Sequence, residues 1–339
     1  MKKLSLSVII LVIFEFNFAQ SIDTIQFANW INENSIELSG LRLKLADGLS
    51  DKTVIGLGEC AHGSKTINDV RFDAAKALIE NSAFNIVAFE MPFNIGLRIN
   101  HFLQTGEGDI EQILKKGHFF TNSTEMLDFI KWIKKHNENA DNPVLLYGFD
   151  VQSNIDLVED LLKFYEKTIN KEAKSLTITL IEIFKKNDIW SFGSYPASMK
   201  DSVMQIVSRL TEIHLLNRKD FVLASGFNEY EYSAKKLEIL SNELQRINSS
   251  YGQSIRMRGF GQAELVKWIK DFEGEKSKII LFAHNGHLGK SHQLIPRART
   301  LSTHGFYEIW EQDFFTGYYL SEIFDDDYYF IGTQFGSGY

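Results

Sequence analysis

Ionisable side chains follow four apolar runs of this chain. Glu59 and His62 come after the first, Glu90 at the end of the second, Asp150 after the third, and His284 and His287 after the fourth. An imidazole with a pKa near neutrality can take a proton from water, and a neighbouring carboxylate can hold its tautomer and stabilise the imidazolium. The water then becomes the nucleophile. Glu59, His62, Glu90, His284 and His287 are also types that hold zinc, manganese or iron, and a metal could make the hydroxide instead. Glu59-x-x-His62 is not the H-E-x-x-H helix and there is no cysteine ligand set, so neither a metal nor a cofactor is expected. Cys60 stands two residues from His62, a separation that in a tight turn rarely brings sulfur within reach of imidazole. No G-x-S-x-G elbow supplies a serine nucleophile, and the glycines around residue 58 match neither phosphate-loop pattern. A protein that kept the crevice only for binding would be expected to lack a central group, yet all five are present.

The runs that must position these groups are 53–58 (TVIGLG), 85–89 (NIVAF), 144–149 (VLLYGF) and 278–282 (KIILF), with a fifth at 328–334 (YYFIGTQ). They are continuously apolar rather than alternating, as strands covered on both faces are, and helix-like stretches separate the first three. The pattern predicts an α/β fold with a mostly parallel sheet and flanking helices. The carboxyl ends of such strands form one crevice, which would gather the ionisable groups at a single edge. From about 154 to 250 the period becomes helical, with stripes Val158, Leu161, Leu162, Tyr165 and Ile169, then Val203, Ile206, Val207 and Leu210, then Leu237, Leu240, Leu244 and Ile247. This reads as a helical insertion. Within it, 190–196 (WSFGSYP) reads as a loop with exposed or pocket-facing aromatics, although a cluster such as Trp190, Phe192 and Tyr195 is more often ordinary packing than a substrate pocket. Ser64 or Asn68 could cap the helix after the first strand. Arg98 reads as a surface cation, and His101, His118, His136, His214, His292 and His304 as surface or core residues.

The 339 residues carry 36 Lys+Arg against 44 Asp+Glu, a formal charge of −8, and no basic stripe of the kind nucleic acid requires. Residues 1–19 read as a signal peptide: two lysines, a short apolar stretch, and Ala19 before a polar segment. Export to the periplasm or medium is expected, with residues 20–339 forming one α/β domain and no stable membrane anchor after cleavage. Cys60 is the only cysteine, so no internal disulfide can form.

Several motifs, in order, carry a family resemblance. They are Gly58-Glu59-Cys60-Ala61-His62-Gly63, Arg71, Ala88-Phe89-Glu90, Asn100, Thr124-Glu125 with Trp132 and Asn137, Tyr147-Gly148-Phe149-Asp150-Val151-Gln152, Arg258 with Ala263 and Trp268, and Ala283-His284-Asn285-Gly286-His287. From about residue 50 onward the chain resembles the erythromycin esterase family. The resemblance implies a three-layer α/β/α core and the opening of a macrolide lactone by water, a route to antibiotic resistance. It implies His62 as general base, with Glu59, Glu90, Arg71, His284 and His287 around it, and Arg258, Asp150 and Asn285 in substrate binding. A small-molecule ester or macrolide is the expected partner. Two positions depart from the family pattern: Cys60 replaces a small residue beside the histidine, and Gly259 replaces the acidic neighbour of the arginine.

Overall fold

The computed structural model describes residues 26, 29, 33, 47–290, 293–302 and 305–334; segment 1–19 lies outside them. The chain packs as two units, Met1–Lys44 and Leu45–Tyr339, and the sheet with its helices belongs to the second. The strands are β1 (Val54–Glu59), β2 (Ile86–Pro92), β3 (Leu145–Asp150), β4 (Ile279–His284), β5 (Gln293–Ser302), β6 (Gly305–Asp313) and β7 (Tyr328–Ile331). β5 and β6 pair antiparallel as a separate two-stranded sheet, while the other five run parallel in the order β3-β2-β4-β1-β7.

Alternation along the strands feeds two cores. On β4, Ile279, Leu281 and Ala283 enter one, and Ile280 and Phe282 the other. Both faces are apolar, which is why the runs read as unbroken hydrophobic sequence. Over the Phe282 face lie α1 (Lys65–Ser82), α3 (Ile110–Leu114) and α4 (Thr124–Asn137), contributing Phe72, Leu78, Leu114 and Phe129. α2 (Phe93–Thr105) adds Ile99 and Leu103 to that core and Phe93 to the opposite one. The opposite face is covered by α5 (Ile155–Lys167), α6 (Lys171–Asn187), α7 (Ala197–Leu216), α8 (Arg218–Ser225), α9 (Phe227–Ile247) and α10 (Tyr251–Glu273). After β4 come α11 (Asn285–Leu288) and α12 (Thr316–Phe324), whose Leu288 and Leu320 join the same core. The result is a three-layer α/β/α fold with a helical insertion.

The apolar stripes explain the insertion, since Val158, Leu161, Val207, Leu210, Leu240 and Leu244 are all buried, whereas Ile169 lies past the end of α5 and is exposed. Three local expectations change. The loop at 190–196 is largely a 3-10 turn, Ile189–Ser194, in which Phe192 and Tyr195 pack in the core and Trp190 stays exposed. Ser64 occupies the N-cap of α1 without a side-chain bond, and Asn68 instead accepts from Arg71. Arg98 is half-buried, tying α2 to Asp156 and Asp160 of α5. His214 is a core residue; burial pushes its pKa down to about 4, so it packs as a neutral ring near neutral pH.

The β2–β3 register shifts between Phe89 and Pro92, and α2 begins at once, crossing β3 at a glycine pair. A Cβ on Gly96 would lie 1.9 Å from the Gly148 nitrogen, and one on Gly148 would lie 2.4 Å from the Pro92 oxygen. Both obstacles are backbone, so neither can rotate away. Gly148→Ala is therefore expected to cost about 3 kcal/mol or more in urea denaturation. An unchanged midpoint would mean that the Met91–Pro92 backbone, where β2 passes into α2, does not approach Gly148 this closely.

Candidate active site

The register brings the predicted groups together. β4 lies between β1 and β2, Glu59 stands beside His284, and Asp150 stands beside Pro92, two residues past Glu90. The carboxyl edge of the sheet thus carries Glu59, Glu90, Asp150 and His284 on four neighbouring strands.

At β1, buried Glu59 divides its carboxylate. Oε1 lies 2.7 Å from His62 Nδ1, and Oε2 accepts from Arg71 Nη2 at 2.6 Å. Arg71 also donates to Asn68 Oδ1 at 2.5 Å and to the Leu57 carbonyl at 3.3 Å, and is buried over the Phe282 ring. It therefore positions Glu59 from behind. The His62 side chain is 32% exposed and stacks on Phe120, with ring centroids 4.1 Å apart. Its Nε2 bonds to no described residue. Behind it a small cavity with room for about one water is lined by Glu59, Asn68, Arg71, Glu90 and Phe120.

At β2 and β3 a second cluster is built around Arg258 of α10. Its Nη2 donates to Glu90 Oε1 at 2.9 Å and Asp150 Oδ2 at 2.6 Å, and its Nε donates to Asp150 Oδ1 at 3.1 Å. Its Nη1 has one long contact, 3.5 Å to His287 Nε2, which itself lies 3.2 Å from Glu90 Oε1. The residue after Arg258 is glycine for a steric reason: a Cβ on Gly259 would stand 3.1 Å from the Phe315 backbone, where α10 meets the start of α12. Asp150 has no exposed surface, and burial alone would raise its pKa. Arg258 and His118 overcome that and hold the carboxyl well below the usual range.

His118 is the residue the sequence reading missed. Its Nε2 lies 2.9 Å from Asp150 Oδ2, and its ring lies against Phe120, centroids 5.2 Å apart, so one short loop touches both clusters. Its signal was weak, because it follows no strand. His284 is fully engaged: Nδ1 accepts from the Gly286 amide at 3.0 Å, and Nε2 donates to the Cys60 carbonyl at 3.3 Å. That fixes a neutral tautomer. Its own amide donates to Glu90 Oε2 at 3.1 Å. Asn285 uses its amide nitrogen on the Thr333 carbonyl at 2.7 Å, anchoring the segment after β7. Among the described residues, no three His, Cys, Asp or Glu side chains converge as metal ligands. Glu59, Glu90 and His284 already spend their polar atoms on protein partners.

Glu90 makes acid stability measurable. Burial would raise its pKa, but the hydrogen bond and charge of His287 and the charge of Arg258 hold it down to about 2, against 4.5 for a free glutamate. A folded-state pKa below the unfolded one stabilises fully above pH 4.5 and is lost as pH falls toward 2, here by about 3 kcal/mol. Denaturant titrations from about pH 6 down to about pH 2.5 should show a flatter acid decline in Glu90→Gln than in wild type. Parallel curves would contradict this.

A profile of the erythromycin esterase family matches residues 79–339, beginning after the Glu59–Arg71 region. Erythromycin esterase type II of Escherichia coli is 23% identical over 265 residues, covering 72% of this chain and 62% of that protein. A putative hydrolase of Bacillus subtilis (strain 168), YbfO, is 24% identical over 263 residues, covering 71% and 57%. The chain thus spans about six-tenths of the length of these curated relatives. Among solved structures, a Bacillus cereus protein superposes with a TM-score of 0.70 at 20% identity over 91% of this chain and 74% of that one. A mutant of the erythromycin esterase EreC in its open conformation gives 0.65 at 18% identity over 88% and 73%. With the profile spanning most of the sequence, the chain belongs to the erythromycin esterase family.

Proposed function

We propose that this protein hydrolyses an ester or lactone with His62 as the base that activates water. The observation that carries the reading is the state of the His62 ring: Nδ1 is held by a buried carboxylate, while partly exposed Nε2 is left without a described partner. A glutamate at Nδ1 selects the tautomer whose Nε2 lone pair faces out, and it stabilises the imidazolium formed on proton transfer. Nε2 takes a proton from water as the oxygen adds to the carbonyl carbon. The resulting oxyanion needs donors, and Arg258 Nη1 is the guanidinium nitrogen with spare capacity, whereas Arg71 is buried behind Glu59. Collapse breaks the carbonyl–alkoxide bond. The alkoxide recovers the proton from His62, leaving a carboxylic acid and an alcohol, joined in one open chain when the substrate is a lactone.

A macrolide is the substrate class we favour. Phe119 is 82% exposed with its ring centroid 6.3 Å from His62, and Phe315 stands edge-on to His287 at 5.9 Å. Exposed aromatic surface beside the base suits a large ring with an apolar face. If segment 1–19 directs export, the reaction would intercept an antibiotic outside the cytoplasm. The test is mass spectrometry of a macrolide, erythromycin, incubated with the purified protein, with and without chelator. Gain of one water in both arms supports the reading. Gain only without chelator would move the chemistry to a metal, and no gain would remove macrolides as substrate.

A further inference from the structure

A cleft of about 700 Å³ runs between α2, α5 and α9 and shares no lining residue with the catalytic clusters. Its size falls within the range of small-molecule sites, about 300–1,000 Å³. Most charges on its walls are paired. Arg98 reaches Asp160 at 2.8 Å and Asp156 at 3.2 Å, Lys163 reaches Asp160 at 3.4 Å, and His101 stands 3.5 Å from Glu107.

Lys236 of α9 is different. Among the described residues no hydrogen bond or ion pair closes on its ammonium group, although it is drawn into the wall. Burial pushes its pKa down, and the fields of Asp160 and Glu229 oppose that without contact. Asp160 cannot serve it fully, because its oxygens already face Arg98 and Lys163. Asn94 of α2, also on the wall, has no exposed surface, yet neither its amide nitrogen nor its oxygen has a partner. A half-buried cation without a counter-ion and a buried amide without a hydrogen bond are each unfavourable. The first would be relieved by a polar ligand carrying negative charge.

We infer that this cleft binds a small molecule bearing a carboxylate or phosphoryl group, its oxyanion on Lys236 Nζ and its other polar atoms on the exposed amide side chains of the wall, Gln104 and Asn228. The inference is independent of the hydrolytic reading, since it concerns binding alone. An anion beside Lys236 favours the charged ammonium, so binding takes up protons at a pH where part of the lysine is neutral.

Isothermal calorimetry of the intact protein with inorganic phosphate, and separately with citrate, tests it. At least one is expected to bind with a Kd of about 1 mM or tighter. Lys236→Met should weaken that binding at least about tenfold, the loss of one buried charge-assisted bond. Glu229 is exposed at the rim, so Glu229→Gln leaves the fold intact and should tighten binding by removing a repelling charge. Binding of phosphate alone assigns a phosphoryl ligand, and of citrate alone a carboxylate. If neither binds, or if binding ignores both substitutions, the inference is wrong.

Discussion

His62→Ala is expected to lower ester hydrolysis by about 10²–10⁴-fold, the usual contribution of a general base, while leaving the protein folded. The second half follows from where His62 sits. Its side chain is 32% exposed, packs on Phe120, and belongs to neither core. Glu59→Gln should lose comparable activity for a different reason: an amide cannot stabilise the imidazolium, and Arg71 would be left buried without its counter-ion. Thermal denaturation separates the two, with His62→Ala melting near wild type and Glu59→Gln well below it. A His62→Ala enzyme that keeps a rate within about threefold of wild type would exclude His62 as the base.

Arg258→Leu is expected to give the largest loss of stability among the site variants, about 3–5 kcal/mol. Arg258 makes three bonds to two buried carboxylates, Asp150 and Glu90, and removing it leaves their charges facing each other with only imidazoles nearby. Glu90 would then be pulled up from about 2, because the Arg258 charge is gone while the Asp150 charge that opposes its ionisation remains. The deficit should therefore shrink as pH falls and a carboxyl protonates. Arg258→Lys restores the charge without the planar fork, so it should recover part of the stability and little of the activity. Urea denaturation at neutral and acidic pH checks both statements. A cost below about 1 kcal/mol for Arg258→Leu would show that the carboxylates are solvated rather than held by this arginine.

Burial also ranks the remaining site residues. Arg71 and Asp150 are packed out of solvent and act by holding Glu59 and Arg258. His284, with both ring nitrogens bonded, fixes the chain around Cys60 and is poorly placed to act as a second base. Asn285 serves the segment after β7, so its replacement should affect stability more than substrate binding.

Local sequence determined the parallel sheet, the helical stripes of the insertion and the sheet edge where the ionisable groups gather. These rest on short-range rules: unbroken apolar runs mean strands buried on both faces, 3.6-residue stripes mean helices, and parallel strands point their carboxyl ends one way. The Glu59–His62 pair was legible for the same reason, since three residues in one turn leave little freedom. Strand order was not legible. Only the folded chain places β4 between β1 and β2, setting His284 beside Glu59 and under Glu90. Nor could the sequence show that Arg258 reaches back 108 residues to Asp150, that His118 closes on the same carboxylate, or that Phe192 and Tyr195 turn into the core. Such contacts depend on which helices cross which strands, here on close approaches at Gly148 and Gly259, and periodicity along the chain carries no record of them.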